Sequence, residues 1–301
     1  MNKKDDKILR VCLCFFAVVL FVAFVKVKID EKISDERREE VISKYVQAVS
    51  ESDYIMHALG SIDGYACTNS KEALEESKKH GARFYEVDVQ LTADDRLVLS
   101  NGWPEDDRIW DTELDTNLEN GVMFYNQFMA TRVQGRFTPI DFNYLVEFMK
   151  ENPNIYVMLD FGNKNTSYLR KAYRGILAVS DEPSVLDRMI VGGYNSGTIG
   201  TVRSVYDFKL FNMSWPAEWN RTDERIDTKE EFLDFCKKNK IASLSTSVEV
   251  YDSEKETMQY FRDNGLIVYV FTEDDKNRAE ELLDGADMVG TNFLYPQVDK
   301  L

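Results

Sequence analysis

Beyond residue 50 the chain alternates between two hydrophobic rhythms. Short runs rich in β-branched and aromatic residues are each followed by stretches whose apolar positions recur three and four apart. The runs predict strands over residues 54–58, 84–89, 155–160, 189–193, 208–213, 241–246, 266–272 and 287–291, with a further short strand at 97–100. The amphipathic stretches predict helices over 69–80, 139–151, 166–180, 197–205, 228–239, 253–264 and 274–284. Thr228 followed by Glu231 has the spacing of a capping box, and Gly81 and Gly265 sit just past helix ends. This alternation predicts an α/β fold, and eight main strands are the number that closes a TIM-type (β/α)8 barrel. One connection breaks the rhythm. About 48 residues separate strand 84–89 from helix 139–151, a long insertion after strand 2 on the face where barrel active sites form.

The first 52 residues follow another pattern. Residues 11–25 are an uninterrupted apolar run, preceded by Lys3, Lys4, Lys7 and Arg10 and followed by Lys26 and Lys28. A spanning helix needs about 20 residues, a length that snorkelling basic side chains supply. No small-residue cleavage site follows, so residues 1–28 read as an uncleaved transmembrane signal-anchor, with a cleaved signal peptide as the alternative. Residues 29–52 are highly charged, with Val41, Ile42, Tyr45, Val46 and Val49 at helical spacing, and read as a helical stalk before a barrel over residues 53–301. The flanks of the anchor differ too little in Lys and Arg to orient it by charge. A short basic N-terminus usually stays inside, which predicts a single-pass protein with an extracytoplasmic domain.

Charge narrows the partners. The chain carries 37 Lys+Arg against 53 Asp+Glu, a net −16. Residues 1–45 hold ten basic and eight acidic residues, so the acidic excess lies entirely in the remainder. That balance excludes a nucleic-acid binder. It also leaves the apolar helix, rather than electrostatics, to hold the chain at a membrane. Of the four cysteines, Cys12 and Cys14 lie in the anchor, and Cys67 and Cys236 demand neither a disulfide nor a zinc site. Asn220, Arg221 and Thr222 form a glycosylation sequon.

Only two histidines are present, His57 and His80. His57 ends strand 1, Glu86 and Asp88 share one face of strand 2, and Asp160 ends the next main strand. Paired inward carboxylates resist joint ionisation unless a cation is present, and a third makes an oxygen-rich site suited to one Mg²⁺ or Ca²⁺. Ordinary polar residues at a strand end are the bland alternative. His80 ends a helix that starts at the catalytic face, which places it at the opposite end of the barrel.

The segment from His57 to Trp103 resembles the glycerophosphodiester phosphodiesterase family, whose pattern runs A-H-R-G, E-N-T-x-x-A-F, G-A-x-x-x-E-x-D-V-x-x-T-x-D and V-x-x-H-D. His57 stands at the first histidine, and Thr68, Asn69 and Ser70 stand at E-N-T, with Ala73 and Leu74 at A-F. Gly81 and Ala82 precede Glu86 and Asp88, with Thr92 and Asp94 in register. Thr138 and Pro139 fit before helix 139–151, and residues 267–292 resemble the family's final segment. The resemblance covers about residues 53–297 and implies a hydrolase that binds one divalent cation through Glu86, Asp88 and Asp160. It implies two histidines as general base and acid, attack by glycerol's own hydroxyl and a cyclic phosphate intermediate.

Several working positions depart from that pattern. Asn101 replaces the second histidine, followed by Gly102; Ala58 replaces the arginine of H-R-G. Gly162 replaces the lysine of L-E-I-K, with Lys164 nearby, and Asn292 replaces the last aspartate. Glu105, Asp106 and Tyr125 are candidate substitute acids, and Trp103 and Trp110 are candidates to stack on a choline-like head group or, failing that, to pack the insertion. Two readings follow: a metal-dependent phosphodiesterase for glycerophosphodiesters or related lipid or polyol phosphodiesters, or a degenerate barrel that binds a phosphorylated ligand or partner without turnover. A two-carboxylate glycosidase ranks last, because Glu86 and Asp88 on one strand suit a shared cation better than opposite sides of a sugar.

Overall fold

The computed structural model describes residues 3–103, 121–162, 164–215, 226 and 228–296. It comprises two compact units, Met1–Lys44 and Tyr45–Leu301. The first is one long helix, part of α1 (Lys3–Ser50), with ion pairs one turn apart such as Lys44 with Glu40. Phe16, Phe21, Val22 and Phe24 are exposed on it. Among the described residues no helix is long and apolar enough to cross a membrane. The side chains of residues 3–15, 17 and 18, which make up much of the apolar run, lie outside the described residues.

The second unit begins with the last turns of α1. Tyr45 is fully buried there, its ring tilted against Phe84 and Tyr156 at 6.1 and 5.7 Å. Those residues open β2 (Phe84–Leu91) and β4 (Tyr156–Asp160), so Tyr45 plugs the barrel at its N-terminal end. Val49 is buried as the stripe predicts, whereas Val46 is 47% exposed.

Eight parallel strands close the barrel: β1 (Tyr54–Met56), β2, β4, β5 (Met189–Gly193), β6 (Leu210–Ser214), β7 (Ser243–Ser247), β8 (Ile267–Phe271) and β9 (Met288–Thr291). β1 pairs with both β2 and β9, which seals the ring. Helices α2 (Lys71–Lys79), α4 (Phe142–Glu151), α5 (Thr166–Val179), α7 (Ser196–Arg203), α8 (Lys229–Lys238), α10 (Lys255–Asp263) and α11 (Lys276–Leu283) pack outside. Side chains of Ser70, Asp141, Asn165, Asn195, Thr228 and Asp275 cap six of these helices, and Thr228 and Glu231 form the capping box expected from their spacing.

Local chemistry trims the predicted boundaries. The first strand stops at Met56, because Ala58 and Leu59 take positive φ in a 3-10 turn over His57–Leu59. The helix expected over 253–264 is α10, Lys255–Asp263, and it is preceded by a short helix that the pattern does not predict, α9 (Val248–Ser253), with Glu254 between the two. The short helices α3 (Tyr125–Ala130) and α6 (Pro183–Leu186) have too few turns for the periodicity to show.

The insertion after β2 returns as β3 (Leu97–Leu99), antiparallel to β2 with Val89 opposite Leu99. Its described part builds a satellite core of Val98, Met123, Phe128, Val133 and Phe137. Trp103 meets Phe128 edge-on at 6.1 Å, so it packs the insertion. Trp110, Glu105, Asp106 and the sequon at 220–222 lie outside the described residues.

Candidate active site

The register of neighbouring strands assembles the acidic group. β2 and β4 pair with Glu86 opposite Met158 and Asp88 opposite Asp160. Alternation points Glu86 and Asp88 the same way, and the pairing brings Asp160 level with Asp88. One oxygen from each of the three carboxylates lies within 4.8 Å of the others. Among the described residues this is the one cluster of three or more potential metal ligands. It stands at an open pocket at the C-terminal ends of the strands, lined by His57, Glu86, Asp160, Tyr194, Asn212 and Tyr269, among others. Among the described residues that line it, none is lysine or arginine.

Each carboxylate is held differently. Ala58 N–H donates to Glu86 Oε2 at 2.8 Å, while Glu86 Oε1 is buried without a partner. Asn69 Nδ2 donates to Asp88 Oδ2 at 2.8 Å, and Asp88 N–H returns a bond to Asn69 Oδ1 at 3.2 Å. Asp160 accepts from Gly162 N–H at 2.6 Å and from the Tyr194 hydroxyl, which stands 2.8 and 2.7 Å from its two oxygens. An orphaned carboxylate oxygen beside two more carboxylates is an unfavourable arrangement that a divalent cation relieves. An all-oxygen donor set suits Mg²⁺ or Ca²⁺ rather than zinc.

The electrostatics agree. Burial, reinforced by Asp88 and Asp160, pushes the Glu86 carboxyl well above the usual carboxylate range. Burial and then the charge of Asp160 push Asp88 up to about 6. Burial works against a charge on His57, but Cys67, the Glu86 carboxylate and Asn292 outweigh it and push the imidazole up to about 10.

These shifts have a consequence for stability. A carboxyl whose folded pKa is raised binds its proton more tightly folded than unfolded, so that stabilisation is lost as pH rises from the unfolded value through the folded one. For Asp88 the window runs from 3.8 to about 6, an effect of order 2–3 kcal/mol at most. A bound cation favours the ionised forms and reverses the sign. Thermal denaturation of the full chain should therefore show a larger Mg²⁺-induced rise in Tm at pH 7.5 than at pH 5, by several degrees. An equal rise at both pH values would contradict this assignment of the carboxylates.

His57 opens the turn after β1. Its Nε2 stands 3.9 Å from Glu86 Oε2, and its Nδ1 stands 2.9 Å from Asn292 Oδ1 and 3.8 Å from Cys67 Sγ. His80 caps the far end of α2, with Nδ1 2.9 Å from Glu76 O and its ring stacked on Tyr295 at 4.3 Å. It lies outside the pocket, as the position of its helix required.

The comparisons with known proteins decide the family. The sequence model of the glycerophosphoryl diester phosphodiesterase family matches residues 60–294. This chain belongs to that family. No curated protein matches it. Among solved structures, a glycerophosphodiester phosphodiesterase from Parabacteroides distasonis is similar at 18% identity with a TM-score of 0.60, over 80% of this chain and 92% of that one. One described as a putative glycerophosphodiester phosphodiesterase from Galdieria sulphuraria is similar at 13% identity with a TM-score of 0.64, over 80% and 94%. An Oleispira antarctica phosphodiesterase, solved in complex with the product sn-glycerol-3-phosphate, is similar at 14% identity with a TM-score of 0.60, over 80% and 93%. At such identities the likeness is one of fold.

Within a glycerophosphodiester phosphodiesterase barrel the departures acquire places. Ala58 contributes its backbone N–H to Glu86. Gly162 takes a φ of +61° and contributes its N–H to Asp160, while Lys164 lies 5.5 Å from the centre of the Tyr168 ring. Ser100 N–H donates to Asp88 O at 2.9 Å, which ties the backbone just before Asn101 to the strand that carries Glu86 and Asp88, although Asn101 itself does not line the pocket. Tyr125 is not the substitute acid: its hydroxyl donates to Asp141 at 2.8 Å, it does not line the pocket, and Asp141 caps α4.

The sequence reading missed Tyr194, Cys67 and Asp274 and gave Asn69 no role. Tyr194 directly follows β5, and the rule that selected His57 and Asp160 at strand ends selects it too. Asn69 stands at the asparagine of E-N-T, a signal that gave no role by itself, and Cys67 carried none; both roles depend on a loop with positive φ at each residue.

Proposed function

We propose that this chain is a divalent-metal-dependent phosphoric diester hydrolase acting on glycerophosphodiesters or related lipid or polyol phosphodiesters. The observation that carries the reading is the convergence of Glu86, Asp88 and Asp160 within 4.8 Å, with His57 at their edge. Glu86, Asp88 and Asp160 would hold the cation, which when bound offsets the charge on the phosphoryl oxygens. His57 Nε2 faces that cluster; the Glu86 charge helps hold its imidazole protonated, and with that charge offset by a cation the neutral ring would be placed to take the proton from the attacking glycerol hydroxyl. That attack forms the bond to phosphorus, expels the head-group alkoxide and leaves a cyclic phosphate, which water then opens. Asn101 cannot protonate the leaving group, so that proton comes from solvent and the step is slow. Release of head-group alcohol from glycerophosphocholine by the full chain with Mg²⁺, Ca²⁺ or Mn²⁺ tests the proposal.

A second reading has its own support. Asn101 and the lack of a lysine or arginine among the described pocket residues favour a barrel that binds a phosphorylated ligand without turning it over. A ligand-dependent rise in Tm without product would select it.

We also propose that residues 8–27 anchor the chain as a single-pass helix, with the barrel extracytoplasmic. The support is the apolar run at 11–25 and its basic flanks. On this reading the full chain resists carbonate extraction from membranes, and release by carbonate would overturn it.

A further inference from the structure

Asn292 reads in sequence as a lost aspartate, yet its surroundings give it a defined task. Asp274 follows β8, and its carboxylate receives donors from the end of β9. Oδ1 accepts from Asn292 N–H at 2.7 Å, from the Thr291 hydroxyl at 2.8 Å and from Phe293 N–H at 3.3 Å. Oδ2 accepts from Asn292 Nδ2 at 2.8 Å. An ionised carboxylate only accepts, so the NH₂ end of the Asn292 amide must face Asp274. Flipping the amide would set two acceptor oxygens 2.8 Å apart, which settles the usual ambiguity of an asparagine side chain.

The other end of the amide is then fixed as well. Asn292 Oδ1 faces His57 Nδ1 at 2.9 Å, and an amide oxygen can only accept. The hydrogen of a neutral His57 ring must therefore sit on Nδ1. Its Nε2, which faces Glu86 and the pocket, keeps the lone pair.

We propose that Asp274 and Asn292 are positioning residues that lock neutral His57 as the Nδ1–H tautomer and leave Nε2 as the proton acceptor. An aspartate at 292 would orient the ring equally well but would add a negative charge across the His57 ring from Glu86. The amide passes on the orientation set by Asp274 and keeps that charge one residue further from the site. The catalytic consequence rests on the phosphodiesterase reading; the tautomer does not.

Two histidines make the test direct. Long-range proton–nitrogen correlation spectra of the full chain, labelled at histidine, contain two rings, and His80→Gln identifies the His57 signals. Spectra are recorded through a pH series, with and without Mg²⁺, so that the neutral ring is observed. We expect a pyrrole-type Nδ1 and a pyridine-type Nε2 for His57. Asn292→Leu should shift the ring toward the Nε2–H form that free imidazole prefers and lower kcat about 10- to 100-fold with little change in KM. The exchanged pair Asp274→Asn with Asn292→Asp should restore both the Nδ1–H form and most of kcat. A neutral wild-type His57 protonated on Nε2 would overturn the proposal. So would an Asn292→Leu ring that keeps the wild-type tautomer. If Asn292→Leu fails to fold, the wild-type spectrum alone decides. If the tautomer behaves as expected but no variant turns over a phosphodiester, the lock stands and the proposed reaction falls.

Discussion

Replacing His57 by alanine should lower kcat on a glycerophosphodiester by about 10²- to 10⁴-fold. No other described imidazole can take over, because His80 is stacked on Tyr295 at the far end of α2. The carboxylates should still gather a cation: Glu86 keeps its bond from Ala58 N–H, Asp88 keeps Asn69, and Asp160 keeps Tyr194 and Gly162. The Mg²⁺-induced rise in Tm should therefore survive while turnover disappears. Stopped kinetics with intact metal binding is the signature of a proton-transfer residue. A loss of less than tenfold would remove His57 from that role.

The opposite change should create activity. Asn101→His puts an imidazole where the family pattern has one, on a hairpin whose geometry is already set. Val89 pairs with Leu99, and Ser100 N–H donates to Asp88 O, so the backbone just before 101 is tied to the strand carrying Glu86 and Asp88. If departure of the leaving group limits the native chain, a positioned acid should raise kcat at least tenfold and at most about 10⁴-fold. Gly102 is best left alone, since its φ of +96° disfavours the aspartate that the family pattern has there. An unchanged kcat in a folded Asn101→His protein would show that another acid already serves the step.

These two sites show what the sequence carries. The strands were legible because each is a short run buried over most of its length, and the start of α8 because Thr228 and Glu231 announce it. Glu86, Asp88 and Asp160 could be grouped before any coordinates, since strand alternation and adjacency alone bring them to one mouth. The part played by Asn292 was not legible. It depends on Asp274, 18 residues earlier, reaching across to the end of β9, and an amide read by itself looks like a missing acid. Tyr125 misled in the opposite direction, because only its bond to Asp141 shows that its hydroxyl is already committed. The kink at Ala58 and Leu59, which lets a backbone N–H reach Glu86, has no hydrophobic signature at all.

The central claim is that this acidic mouth, in a chain with one usable histidine, performs metal-dependent phosphodiester hydrolysis. The most direct test follows head-group release from glycerophosphocholine by the full chain with Mg²⁺, Ca²⁺ or Mn²⁺, before and after EDTA. The account predicts slow but measurable turnover that EDTA abolishes and added metal restores. Metal binding that raises Tm with no product from any of a broad panel of phosphodiesters would contradict it.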